Sequence, residues 1–179
     1  DGMDIQLLSR KYAVRKLNIN DVDIIYDISC KNEIFYKYHP PFVTKESIIE
    51  DMEALPPHKN YEDKYYIGFF ENDSLVANMD LILGYPTNEI AFIGLLMTNV
   101  LYQNKGVGSN IVRDVCAYLK LLGYKNVAKK LVTAAFLPYF IVANSFRLLL
   151  LTRLIWRSKS PLLISSARTY CRKVGTVQE

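Results

Sequence analysis

A chain of 179 residues, half of them hydrophobic and 12% aromatic, has globular composition and enough length to bury a core, so one domain over 1–179 is the expectation. Cys30, Cys116 and Cys171 are odd in number and share neither a CxxC nor a His-rich spacing, which argues against a disulfide framework and a zinc site and reads as reduced thiols in a cytoplasmic protein. The net charge of +4 hides a contrast: residues 1–127 carry 13 Lys or Arg against 17 Asp or Glu, and residues 128–179 carry 9 against 1.

The opening "DGMDIQLLSRKY" lacks the long apolar segment of a secretory signal, and Asp1 and Gly2 ahead of Met3 read as left over from cloning. Alternation over 12–17 predicts a strand, and Asn20 is a candidate cap for a helix using Val22, Ile25 and Ile28. An aromatic loop follows over 34–43. Thr44 then caps a helix carrying Ile48, Met52 and Leu55, which Pro56 and Pro57 stop. The runs 65–70 and 75–83 around "ENDS" predict an antiparallel hairpin, and 89–98 predicts another strand. From Val107, the positions Ile111, Val115, Tyr118, Leu119 and Leu122 follow a helical period, with Gly123 as the stop.

Between that strand and that helix lies "YQNKGVGSNI", residues 102–111. The first amides of a helix lack intrahelical partners and, with the macrodipole, attract an anion when no side chain blocks the approach. Gly106 and Gly108 remove those side chains, and glycine can turn successive amides toward one phosphate. Lys105 and Ser109 add a cation and a hydroxyl. A lone GxG also fits ordinary turn glycines opening a helix. A Walker motif is absent, and Ile111 stands where GxGxxG would need its third glycine.

The remaining pattern, Gln103-x-x-Gly106-x-Gly108 after a strand ending "LLMTNVLY" and before a helix ending "LLGYKNV", resembles the central motif of the GNAT superfamily of acetyl-CoA-dependent N-acetyltransferases. The order strand, helix, helix, hairpin, strand, glycine loop, helix fits over about 12–127. The resemblance implies an α/β fold with a mixed, mostly antiparallel central sheet flanked by helices. It implies that Gln103, Asn104, Lys105, Gly106, Val107, Gly108 and Ser109 bind the pyrophosphate of coenzyme A. It also implies that the backbone of Leu96, Met97 and Thr98 pairs with the pantetheine arm, as an added strand pairs with a sheet edge.

Acetyl transfer to an amine needs a group to take the amine's proton and an acid for the departing thiolate. Glu89, Asp80 and His39 are candidates for the first; Glu89 equally fits a strand-start surface charge, Asp80 a solvated face, and His39 a loop residue before proline. The family's acid is commonly a Tyr on the helix after the fifth strand, where Tyr139 is the one available. The resemblance places a substrate-covering segment at 34–43, so Tyr36, Tyr38 and His39 are candidate acceptor contacts, though aromatic rings there can also simply roof the core. The expected activity is acetyl transfer from acetyl-CoA to the primary amine of a small molecule or peptide by direct attack, with no metal. The alternative is a silent acyl-CoA-binding module. A homodimer stays open.

Residues 128–179 depart from the family pattern: the expected Asn and Asn-Gly-Phe are not legible beyond "YKNVAKKLV", and glycine is absent until Gly175. Pro138 and Arg147 interrupt the apolar runs, and the basic residues form no nucleic-acid module, so neither a membrane nor a nucleic acid is an expected partner. A divergent C-terminal half and an out-of-frame translation remain. Leu, Ser and Arg, with six codons each, supply 19 of these 52 residues against 21 of the preceding 127, which leans toward the frame change.

Overall fold

A computed structural model of the chain describes residues 2–38, 40–131 and 149–152. Among them, β1 (Ala13–Lys16), β2 (Lys64–Glu71), β3 (Ser74–Leu83), β4 (Ile90–Thr98), β5 (Asn126–Leu131) and β6 (Leu149–Thr152) form one sheet in chain order. The pairs from β1 to β4 are antiparallel; β5 runs parallel to β4, and β6 parallel to β5. The connections dictate this pattern. Asn72 and Asp73, at φ 47° and 63°, close the β2–β3 hairpin in a conformation that Asn and Asp tolerate. A parallel pair cannot be closed by two residues, so β4 reaches β5 through helix α4 (Val107–Leu121).

The pleat sends two sets of side chains to opposite faces. On one face Tyr66, Phe70 and Leu75 pack against Val22, Ile25 and Ile28 of α1 (Val22–Cys30) and Ile48 of α3 (Lys45–Glu53). On the other, Ile67, Phe69, Met79, Leu81 and Ile93 meet Ile111, Val115 and Leu119 of α4. Phe69, Ile67, Met79, Leu81, Ile111 and Leu119 are fully buried, each contributing about 1.5–3 kcal/mol by leaving water.

Three local expectations change. Asn20 does not cap α1; Asn18 instead caps a short 3-10 turn that feeds the helix, its Oδ1 accepting from the amide of Asn20 at 2.9 Å while the Asp21 carboxylate accepts from the amide of Asn18. The aromatic stretch expected as a loop begins as helix α2 (Glu33–Tyr38), because the carbonyl of Asn32 accepts from the amides of Phe35 and Tyr36. Leu122 leaves the apolar face, 44% exposed, because the chain turns there: Gly123 sits at φ 94°, its amide bonds Lys120 O, and the amide of Tyr124 bonds Leu119 O. Thr44 caps α3 as expected, exchanging hydrogen bonds with Ser47.

Candidate active site

β4 changes partners along its length. Its first residues pair with β5, from Ile90 opposite Asn126 to Ile93 opposite Lys129, and the pairing stops there. Residues 95–98 continue to pair with β3 only, from Leu95 opposite Asp80 to Thr98 opposite Ala77. Gly94 is the extra residue between these registers, a bulge that bends the strand away from β5. A Cβ at 94 would lie 2.9 Å from Asp80 Oδ2 and would push that carboxylate aside. Among the described residues, Leu96, Met97 and Thr98 therefore have a strand partner on one side only, and at Thr98 the carbonyl already accepts from the Asn32 and Gln103 side chains.

Past Thr98 the chain is tied down before it reaches the glycines. The amide of Asn99 bonds Val76 O, its Nδ2 donates to Leu75 O at 3.2 Å, and its Oδ1 accepts from the amide of Leu101 at 3.0 Å. Gln103 is exposed but bonds back to the fold: its Nε2 donates to Thr98 O at 3.1 Å and to Asn32 Oδ1 at 2.5 Å. Asn104 and Gly106 then take left-handed φ values of 59° and 73°, and Gly106 caps α4 without any side-chain bond. Gly108 lies inside the first turn of α4, where its role is space rather than φ; the atom nearest to a Cβ there would be Thr98 Oγ1 at 3.3 Å.

Among the described residues, the amides of Val107, Gly108 and Ser109 bond no backbone acceptor, and the first amide paired with the turn is that of Asn110, to Gly106 O. These are the donors that a helix start offers to an anion. Lys105 folds back instead, its Nζ donating to Leu101 O at 2.9 Å.

The remaining candidates separate by position. Glu89 precedes β4 at the end remote from the loop, nine residues before Thr98 and thus about 30 Å away at roughly 3.3 Å per strand residue. Its carboxylate is exposed and bonded to Lys125 at 2.5 Å. Asp80 lies at the bulge, 9% exposed at the side chain, with Lys64 Nζ 2.8 Å from its Oδ1. Tyr36 packs between Phe35 and Phe42, ring centroids 5.0 and 5.1 Å away, and against the α1–α3 core, so it roofs that core in part. Tyr38 closes α2. The side chain of Tyr38, and His39 and Tyr139 entirely, lie outside the described residues.

Three polar residues that the sequence reading passed over gather on the α1–α3 face. Asn78, fully buried and two residues before Asp80, donates through Nδ2 to the Tyr66 hydroxyl at 3.3 Å, while its Oδ1 has no partner. Burial, with Asp51 and Asp80 nearby, raises the Tyr66 phenol far above its ordinary pKa and keeps its proton on. Lys64 and Tyr66 also line a cavity of about 250 Å³ whose wall includes Met52 and Glu53 of α3. The signal was present in the strands: Asn78 and Asp80 share one face of a run otherwise apolar. Asn32, 8% exposed, is the other omission. No group of three or more His, Cys, Asp or Glu converges among the described residues, and no described helix is long and apolar enough to cross a membrane.

No protein-family model matches the sequence, and no curated protein matches it. Solved structures do. An acetyltransferase of Thermus thermophilus is similar with a TM-score of 0.55 at 19% identity, over 65% of this chain and 73% of that one. An N-acetyltransferase of Staphylococcus aureus gives 0.51 at 16%, over 70% and 76%. A transcriptional regulator of Bacillus halodurans gives 0.50 at 11%, over 69% and 84%. With its bulged β4 parting from β5 and its glycine loop opening α4, the chain has the GNAT acetyltransferase fold.

Proposed function

We propose that this protein is an N-acetyltransferase that uses acetyl-CoA and a primary amine. The observation that carries this reading is the continuity between the bare N-terminus of α4 and the open edge of β4. The amides of Val107, Gly108 and Ser109 hold the pyrophosphate, and the strand edge ahead of Thr98, whose carbonyl the Asn32 and Gln103 side chains already fill, takes the amide-bearing arm. That edge runs on to Gly94, where Asp80 adjoins the strand, so Asp80 is the carboxylate in reach of the reacting end and Glu89 is not. The cavity lined by Lys64 and Tyr66 is joined to Asp80 only through the Lys64 ammonium, 2.8 Å from Asp80 Oδ1.

In the transfer, the amine nitrogen forms its bond to the acetyl carbonyl carbon as the carbon–sulfur bond breaks. The proton leaving nitrogen passes to Asp80, and the sulfur leaves as a thiolate that takes up a proton. No cysteine carries the acetyl group. Burial lifts the Cys116 thiol to about 11, which keeps it protonated and unreactive, and Cys30 Sγ donates to Asp27 O.

A second reading, a silent acyl-CoA-binding module, is favoured by one feature: Asp80 Oδ1 is already bonded to Lys64. Calorimetry with coenzyme A and an acetylation assay over a panel of primary amines separate the two. The enzyme binds coenzyme A and turns over at least one amine; the silent module binds and never turns over; absence of binding removes both readings.

A further inference from the structure

The residue that joins the two halves of this site belongs to neither motif. Asn32 stands between α1 and α2 and uses every group it has. Its Nδ2 donates to Ile28 O in the last turn of α1 at 2.8 Å and to Thr98 O at 3.3 Å, at the end of the open strand. Its Oδ1 accepts from Gln103 Nε2, the first residue of the glycine loop. Its carbonyl accepts the amides of Phe35 and Tyr36, which start the aromatic helix. Thr98 O in turn receives both Asn32 and Gln103. The loop and the strand edge thus meet on one buried side-chain amide, and α2 starts on the backbone carbonyl of the same residue.

We propose that Asn32 is a positioning residue that couples the cofactor loop to the aromatic helix α2, so that an anion bound at the loop is felt at the start of α2. The proposal rests on the coenzyme A reading above. The reasoning is one of linkage. An anion on the amides of 107–109 fixes the loop that begins at Gln103. Fixing Gln103 Nε2 holds Asn32 in the one rotamer that also meets Ile28 O and Thr98 O, and so holds the residue on which α2 starts. By reciprocity, an ordered α2 strengthens cofactor binding by the same factor. The amide is needed for its two ends. An aspartate at 32 would still accept from Gln103 but would set a carboxylate against the carbonyls of Ile28 and Thr98, and a serine would start α2 well yet be too short to reach Gln103.

The test is hydrogen exchange of residues 33–38, measured by mass spectrometry with and without coenzyme A, alongside calorimetry of coenzyme A itself. In the wild-type chain saturating coenzyme A slows exchange in this segment by about fivefold or more, the range of modest allosteric couplings. In Asn32→Ser the cofactor still binds, with affinity lowered by about the same factor as the lost coupling, roughly fivefold or more, and the slowing disappears. Gln103→Leu, on the exposed side of the contact, gives the same loss without touching α2, and the double variant binds coenzyme A no more weakly than the weaker single. Slowing retained in both single variants, or absent in a wild-type chain that binds coenzyme A, overturns the coupling. A chain that binds no coenzyme A overturns the functional reading and the coupling with it.

Discussion

Valine at position 108 separates what the loop's two glycines do. Gly106 is needed for its φ of 73° and has open space where a Cβ would stand, whereas Gly108 is helical and needed for approach. Every Cβ of a helix tilts toward its N-terminus, so a side chain at 108 leans over the amides of 107–109. In the free protein Gly108→Val gains about 0.4 kcal/mol of helix propensity, and pressure on Thr98 Oγ1 at 3.3 Å takes back a similar amount by moving one hydroxyl. The expected stability change is below about 1 kcal/mol, or roughly 4 °C in Tm for a chain of this size. Binding behaves differently. Displacing an anion from two amides forfeits about 1.5–3 kcal/mol for each charge-assisted bond, so coenzyme A affinity falls by at least about a hundredfold. Gly106→Ala is the control: it loses about 1 kcal/mol of stability to left-handed strain and leaves the amides uncovered. Thermal melting gives the first quantity and calorimetry the second. A folded Gly108→Val chain with coenzyme A affinity within about threefold of wild type, well under one such bond, refutes the placement of the anion.

Lys105→Ala weakens coenzyme A binding only a few fold, by roughly the worth of one exposed screened charge, and the difference shrinks at high salt because its ammonium already bonds Leu101 O rather than facing the amides; titrations at two ionic strengths measure it. Asp80→Ala leaves the buried Lys64 ammonium without its carboxylate and costs about 3–5 kcal/mol in denaturant unfolding, whereas a Lys64→Met, Asp80→Leu double variant recovers most of that stability and still transfers no acetyl group. Arg15, 2.7 Å away, and the Asn18 amide hold the Asp21 carboxyl below the usual carboxylate range. The unfolded chain therefore binds that proton more readily, so the stabilisation is complete above the ordinary pKa of about 3.9 and is lost as the pH falls through the lower folded value. Unfolding of wild type and Asp21→Asn compared at neutral and strongly acidic pH should show a gap that closes in acid.

Much that depends on neighbours in sequence was legible, the Asn18 cap and α2 apart, whereas side-chain contacts that depend on register were not. The Thr44 cap, the stop at Gly123 and the glycine loop are each written within a few residues, because caps, positive φ and bare amides are local chemistry. The helix at Glu33–Tyr38 was missed because six residues rich in aromatics carry no periodic stripe; it starts on the carbonyl of Asn32 and stops ahead of Pro40 and Pro41. The composition of 128–179 leans toward a shifted frame over a divergent half, and the mass of the intact chain beside its coding DNA decides between them. Asp80 was visible as a candidate, but its partner Lys64 lies sixteen residues earlier on β2, and only the hairpin register sets the two on one face. Gln103 shows the same limit more sharply. As the first letter of the glycine motif it was expected at the phosphate, yet its side chain turns back to Asn32, seventy-one residues away, a contact that exists only once β4 has been laid beside β3 and α1 across it. A motif residue can thus act through the fold, by fixing where the helix-opening amides begin.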